Sequence, residues 1–274
     1  MSLEVEAFIR TSMEQGKPAN LAKSESEFVM NSRGQKLACR SVLPSPASEY
    51  KGVVVFLHGY CAHGNRPIQS YMGKSFSEAG YGYLIVDMHG HGYSEGVRGL
   101  VESPWDLVDD VLGVLLALYG EGMYSSHSGS DDRLLGQQST VHLRGMAVSG
   151  TQPLFLLGHS MGGAVATLTG LALRSNGSAG SVCPTALARS NEAALARIGT
   201  RLGGAVLVAP LVEINAPMAA KPLLEVVSLC CGAAPMPAML VGSGNKDNDK
   251  IWASAVYREY CATDAWPQNK EVTH

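Results

Sequence analysis

Long apolar runs are missing from the sequence. No stretch of about 18 residues escapes polar interruption, so no spanning helix is expected. Charge is scarce and nearly balanced: charged residues make up 16% and the formal net charge is −3. Such a surface excludes a general attraction to nucleic acid. Residues Met1 to Lys17 carry Glu4, Glu6 and Glu14 and lack the apolar stretch of a secretory signal. The six cysteines (Cys39, Cys61, Cys183, Cys230, Cys231, Cys261) have no CxxC spacing. That removes zinc-ribbon and thioredoxin-type chemistry and leaves free thiols of a reducing compartment as the expectation. Cys230-Cys231 reads as small buried apolar residues, with acylation the alternative. No metal or cofactor is expected, and the expected location is cytoplasmic.

What is present is core material. Hydrophobic residues make up 46% of 274 residues, too many for a disordered chain and enough for one large domain or two small ones. Residues 1–25 form a polar N-terminal segment, expected as helix or tail. Glu27 to Met30, Asn31 to Gly34 and Lys36 to Leu43 read as strand, tight turn and strand. Lys51 to Leu57, Tyr81 to Asp87, Pro153 to Leu157 and Gly203 to Ala209 are continuous apolar runs, the pattern of strands buried on both faces of a parallel sheet. Helices are expected over 67–79, 105–119 (with Pro104 at its start) and 161–174. This alternation predicts an α/β fold with its site at the carboxyl edge of the sheet. Two polar stretches, about 121–152 and 176–200, interrupt it and are expected as surface insertions that add no core, the second with a short helix over 186–198. Residues 210–244 are apolar but broken by Pro217, Pro222, Pro235 and Pro237, so neither one helix nor one strand fits.

The strongest chemical signal is Gly158-His159-Ser160-Met161-Gly162-Gly163. It matches G-x-S-x-G between an expected strand and an expected helix, the setting in which that motif is a nucleophile elbow. Gly158 and Gly162 let the backbone close tightly and hold Ser160 in a strained conformation. The helix N-terminus that follows favours negative charge. The second signal is His58-Gly59-Tyr60 at the end of the first parallel strand. The backbone N–H groups of Tyr60 and Met161 are the expected oxyanion-hole donors. His58 is expected to anchor its loop rather than act as a base. The third is Asp87 to Gly96, a glycine-rich turn after a strand, in which His89 and His91 are expected to bond the loop backbone.

The strings VVVFLHGY, YLIVDMHGHGYSEGVRG, FLLGHSMGG and VLVAPLVEI together resemble the α/β-hydrolase superfamily. The Gly90 to Gly96 segment is most similar to the monoacylglycerol lipase and lysophospholipase group, often filed with serine aminopeptidase-like hydrolases. The resemblance implies an α/β-hydrolase fold, a mostly parallel sheet flanked by helices, with its core over 26–209 and an apolar lid over 210–250. It also implies cleavage of carboxylic esters of single-chain lipids by Ser160. Residues 210–244 would then form the acyl-chain entrance and a peripheral membrane contact. Acyltransferase and peptidase activity stay open within the superfamily. The alternative from another class is a non-catalytic lipid- or membrane-binding relative.

Such hydrolases need an acid and then a histidine after the serine. After Ser160 the sequence offers Asp247, Asp249 and Asp264 and a single later histidine, His274, without the two apolar strands that normally carry the pair. His127 to Asp132 spells H-x-x-x-x-D, seen in some acyltransferases, but within a Ser/Gly-rich stretch where chance explains it. The expectation is therefore a C-terminally incomplete member. Residues 251–274 would be its shortened end, the last sheet strands and triad partners would be absent, and turnover would be impaired.

Overall fold

A strand that is apolar at every position is stable only where both of its faces are covered. In the computed structural model, which describes residues 3–14, 27–44, 51–119, 146 and 152–211, two such strands lie at the centre of the sheet. After α1 (Leu3–Glu14) come the hairpin strands β1 (Glu27–Met30) and β2 (Lys36–Val42), joined through Gly34 at φ +76°. Then follow β3 (Val53–Leu57), α2 (Pro67–Glu78), β4 (Gly82–Val86), α3 (Pro104–Leu118), β5 (Leu154–His159) and α4 (Met161–Leu173). Three short helices, α5 (Ala179–Val182), α6 (Ala186–Ser190) and α7 (Glu192–Gly199), lead to β6 (Leu202–Val208). Every residue of β3 and β4 is buried.

The strand order is β1-β2-β4-β3-β5-β6. The β3–β4, β3–β5 and β5–β6 pairs are parallel, and β2 is antiparallel to both of its neighbours. Alternate residues of the central strands face opposite layers. Val53, Val55, Leu57, Leu84, Val86 and Leu156 pack with Leu107, Val111, Leu115 and Val165 of α3 and α4. Val54, Phe56, Tyr83 and Ile85 pack with Met72 and Phe76 of α2. Helix α3 starts as its sequence predicts, with the Ser103 side chain accepting the Trp105 N–H at 3.2 Å and Pro104 in the first turn. The result is the expected α/β-hydrolase architecture, a mostly parallel sheet between helical layers.

Two expectations need correction. Residues 176–200 are not a coreless surface insertion: Cys183, Ala188, Leu195 and Ile198 are fully buried in the cluster beneath α3 and α4. The expected helix over 186–198 is two helices, with Asn191 ending α6 and preceding α7. Apolar positions three and four apart give these short helices one buried face. Of the 121–152 stretch, Met146 is likewise buried in the core. The second correction concerns β6. Its apolar sequence predicts burial on both faces, yet Val206, Leu207 and Val208 are 57%, 42% and 46% exposed. Among the described residues β6 pairs only with β5, and an apolar strand stays exposed unless something covers it.

The lid expected up to residue 250, the end at 251–274, the acids Asp247, Asp249 and Asp264, His274 and the His127–Asp132 pair lie outside the described residues. So do Cys230, Cys231 and Cys261, while Cys39, Cys61 and Cys183 are free thiols. Among the described residues no helix is long and apolar enough to cross a membrane.

Candidate functional site

β5 runs two residues past its apolar run and delivers Gly158 and His159 to the carboxyl edge of the sheet. The chain then turns sharply at Ser160 into α4. Ser160 has φ +53° and ψ −117°, a strained conformation for a residue with a side chain. The glycines around it are required by contact. A Cβ on Gly158 would stand 2.3 Å from the Gly162 carbonyl oxygen, and one on Gly162 would stand 2.1 Å from the Leu57 carbonyl oxygen. The Cα of Gly163 sits in the same tight crossing, beside Gly158 and Pro210. The strained turn is tied to β6 and the residues after it. Ser160 N–H donates to the Val208 carbonyl at 3.0 Å, and its carbonyl accepts the N–H groups of Gly163 and Leu211, each at 2.9 Å.

The loop after β3 lies directly against this turn. The missing Cβ of Gly59 would stand 3.2 Å from Ser160 Cβ and 3.1 Å from His159 Nδ1. Among the described residues neither the Tyr60 N–H nor the Met161 N–H has a protein acceptor. Two unspent donors therefore flank the serine, one in the β3 loop and one in the first turn of α4. That is the pattern an oxyanion hole requires. Tyr60 is held at its far end, where its hydroxyl donates to the Gly99 carbonyl at 2.9 Å.

His58 is fully buried beneath this loop. Its Nε2 accepts the Met88 N–H at 3.0 Å, so Nδ1 carries the proton and donates to the Gly59 carbonyl at 2.8 Å. Both ring nitrogens are spent on backbone, as expected of a loop anchor. Burial, helped by nearby His91, pushes its pKa down to about 3, so it stays neutral. His89 Nδ1 lies 2.5 Å from the buried Asp110 carboxylate, and His91 Nδ1 pairs with the His89 carbonyl at 2.9 Å. His91 thus bonds the loop backbone as expected, whereas the His89 ring does not: it pairs with the Asp110 and Arg33 side chains and ties the loop to α3 and the first turn. His159 is partly exposed, and burial, with the charge of Arg66, lowers its pKa.

A buried polar pair at this edge joins Asp87 to a residue that sequence patterns do not single out. Arg40 of β2 and Asp87 at the end of β4 form a fully buried bidentate pair, at 2.8 and 3.1 Å. Burial raises the Asp87 pKa, but the charge and hydrogen bonds of Arg40 outweigh it and hold the carboxyl below the usual range. The available signal was a lone arginine in the middle of an apolar strand. A second network joins Asn31 and Arg33 of the first turn to Asp110 of α3, at 2.9 and 2.5 Å. Among the described residues no group of His, Cys, Asp and Glu is arranged to hold a metal.

Residues 48–197 match the serine aminopeptidase S33 family of hydrolases. The chain belongs to that family. The S33 match runs from just before β3 to α7 and contains the Tyr60 loop, the Asp87 loop and the Ser160 turn. Similar solved structures include a thermostable carboxyl esterase from Bacillus coagulans in complex with glycerol (16% identity, 84% of this chain and 58% of that one, TM-score 0.48). Another is the α/β hydrolase GrgF from Penicillium sp. sh18 (16% identity, 74% and 52%, TM-score 0.48). A third is Est1E from Butyrivibrio proteoclasticus with ferulic acid bound (19% identity, 54% and 48%, TM-score 0.40). This S33 chain thus spans about half the length of the solved proteins it resembles. No curated protein matches it.

Proposed function

We propose that this chain carries the nucleophile and oxyanion side of a carboxylic ester hydrolase, with Ser160 as nucleophile and the Tyr60 and Met161 N–H groups as oxyanion donors. The observation that carries the reading is the strained Ser160 turn, φ +53°, set between two backbone N–H groups with no acceptor among the described residues. In this reaction Ser160 Oγ attacks the ester carbonyl while its proton passes to a general base. The carbonyl oxygen gains charge between the two N–H groups. Collapse of the tetrahedral species expels the alcohol and leaves an acyl-serine, which water hydrolyses. His58 is not that base, because both of its nitrogens are committed. After Ser160 the sequence carries one histidine, His274, which lies outside the described residues.

The substrate class we favour is a single-chain lipid ester, of the monoacylglycerol or lysophospholipid kind. Apolar and aromatic surface by the turn supports it: Tyr60, Val208 and Leu211 are 38–46% exposed, with the partly exposed His159 beside them. Residues 210–244, apolar in sequence, are the proposed acyl-chain and membrane-surface contact. A fluorophosphonate probe tests the nucleophile. The wild-type chain should be labelled and Ser160→Ala should not. An unlabelled wild type, or a labelled Ser160→Ala, would overturn the assignment. Monoacylglycerol binding without labelling would favour a non-catalytic lipid-binding role instead. Turnover of aminoacyl amides in preference to esters would move the substrate class to peptides.

A further inference from the structure

One carboxylate holds two loops at the carboxyl edge. Asp87 Oδ1 accepts the Gly64 N–H at 2.7 Å, and Oδ2 accepts the Tyr93 N–H at 3.0 Å. Gly64 belongs to the loop after β3, which turns at Gly59, where the Ala62 N–H donates to the Gly59 carbonyl at 3.1 Å. That loop carries the Tyr60 N–H past Ser160. Tyr93 belongs to the loop after β4. Arg40 grips the same two carboxylate oxygens from β2, whose register places it opposite Ile85 of β4.

Stability alone is a poor account of this pair. Burying two charges costs more in desolvation than their attraction commonly returns, and an apolar pair of the same size often serves the fold as well. An apolar pair offers no acceptors, however. The carboxylate supplies one to each loop, and Arg40 fixes its rotation by binding both oxygens. Two further ties join the same loops: Met88 N–H to His58 Nε2, and Tyr60 OH to the Gly99 carbonyl. The Tyr60 loop is thus held at His58, Tyr60 and Gly64 by the loop after β4. An oxyanion donor works only when it is aimed at the developing charge before reaction, so the rigidity of this loop bears on rate.

We propose that Asp87, braced by Arg40, is a positioning residue that sets the Tyr60 N–H for the oxyanion through the Gly64 and Tyr93 N–H groups. The proposal rests on the ester-hydrolase reading above.

Two variants of the full chain test it: Arg40→Met with Asp87→Leu, which removes both charges together, and Arg40→Lys, which keeps the charge but grips one oxygen. Each is first compared with wild type by thermal unfolding. With a soluble p-nitrophenyl ester, the double variant should lose at least tenfold in kcat and in fluorophosphonate labelling rate, with KM within twofold. Arg40→Lys should lose several-fold in kcat with KM equally unmoved. A folded variant that keeps kcat and labelling within twofold of wild type overturns the proposal. If the double variant does not fold, Arg40→Lys decides. Amide hydrogen exchange gives an independent readout: exchange at Gly64 and Tyr93, whose N–H groups the carboxylate accepts, should accelerate at least tenfold in Arg40→Lys, and unchanged exchange overturns the clamp. A wild type that the probe does not label fails the hydrolase reading itself, a result distinct from labelled enzyme with unaltered variants.

Discussion

The Cβ that Gly162 lacks would stand 2.1 Å from the Leu57 carbonyl oxygen, so the first turn of α4 crosses the end of β3 with no room for a methyl group. Both partners are backbone, and neither can step aside without moving the elbow or the strand. Gly162→Ala is therefore expected to cost about 2 kcal/mol or more, in the range of strain and overpacking in a core. Gly204→Ala is the contrast, since nothing lies within 4 Å of its Cβ position, and it should change stability by less than about 0.5 kcal/mol. Thermal unfolding of the two variants checks the pair. Equal losses would show that the crossing is not tight.

The strain at Ser160 predicts that this residue is kept at a cost to stability. Ser160→Gly relieves the φ of +53°, whereas Ser160→Ala retains it. The glycine variant should be the more stable of the two by about 1 kcal/mol, within the usual price of such a backbone conformation. Neither should react with a fluorophosphonate. Urea unfolding of both variants measures the difference, and an alanine variant at least as stable would remove the argument for strain.

Stability should fall with acid in a window set by His58. Its folded pKa is lowered to about 3 from an ordinary 6.5, so the unfolded chain takes up the proton first as pH falls. The loss begins near pH 6.5 and continues toward pH 3, at up to about 1.4 kcal/mol per pH unit. His91, also lowered, chiefly by burial, adds in the same direction. Asp87 acts elsewhere: its stabilisation holds above its ordinary carboxylate value and is lost only at lower pH, as the folded group protonates. Denaturant unfolding between pH 7.5 and 4.5 should show the slope, and it should flatten in His58→Gln. An equal slope in that variant would assign the loss to other groups.

For the buried pair, breaking one partner should be worse than replacing both. Arg40→Met alone leaves a carboxylate with no countercharge, at a cost of about 3–5 kcal/mol. Arg40→Met with Asp87→Leu should unfold at a higher temperature than either single variant. A double-mutant cycle measures the coupling, and additive losses would contradict it.

Much of the architecture was legible from local pattern. VVVFL, GYLIV and LFLL are apolar at consecutive positions, and only central parallel strands tolerate that. Gly158 to Gly163 marked the elbow because its glycines answer a steric demand made within six residues of chain and by the adjoining β3 end. His58 and His91 were legible as loop anchors because each sits in a polar turn directly after a strand, whereas His89 pairs with Asp110 and Arg33, partners too remote in sequence to be read from that turn. The same local logic differs from what is seen at β6, where an apolar run predicts burial but, among the described residues, the strand pairs only with β5 and stays partly exposed. It failed over 176–200, where small residues between polar ones hid a buried helical face.

The sequence by itself determined the strand–helix alternation, the identity of the residue on the strained turn and the S33 motifs around it, because each depends on neighbours in the chain. Only the tertiary structure decided what Arg40 and Asp87 do. They are 47 positions apart, and their meeting depends on β2 pairing with β4 beside β3. It also decided that the carboxylate thus assembled faces the two N–H groups that hold the loops beside Ser160. Side-chain type signals a buried charge, but only the packed sheet supplies its partner.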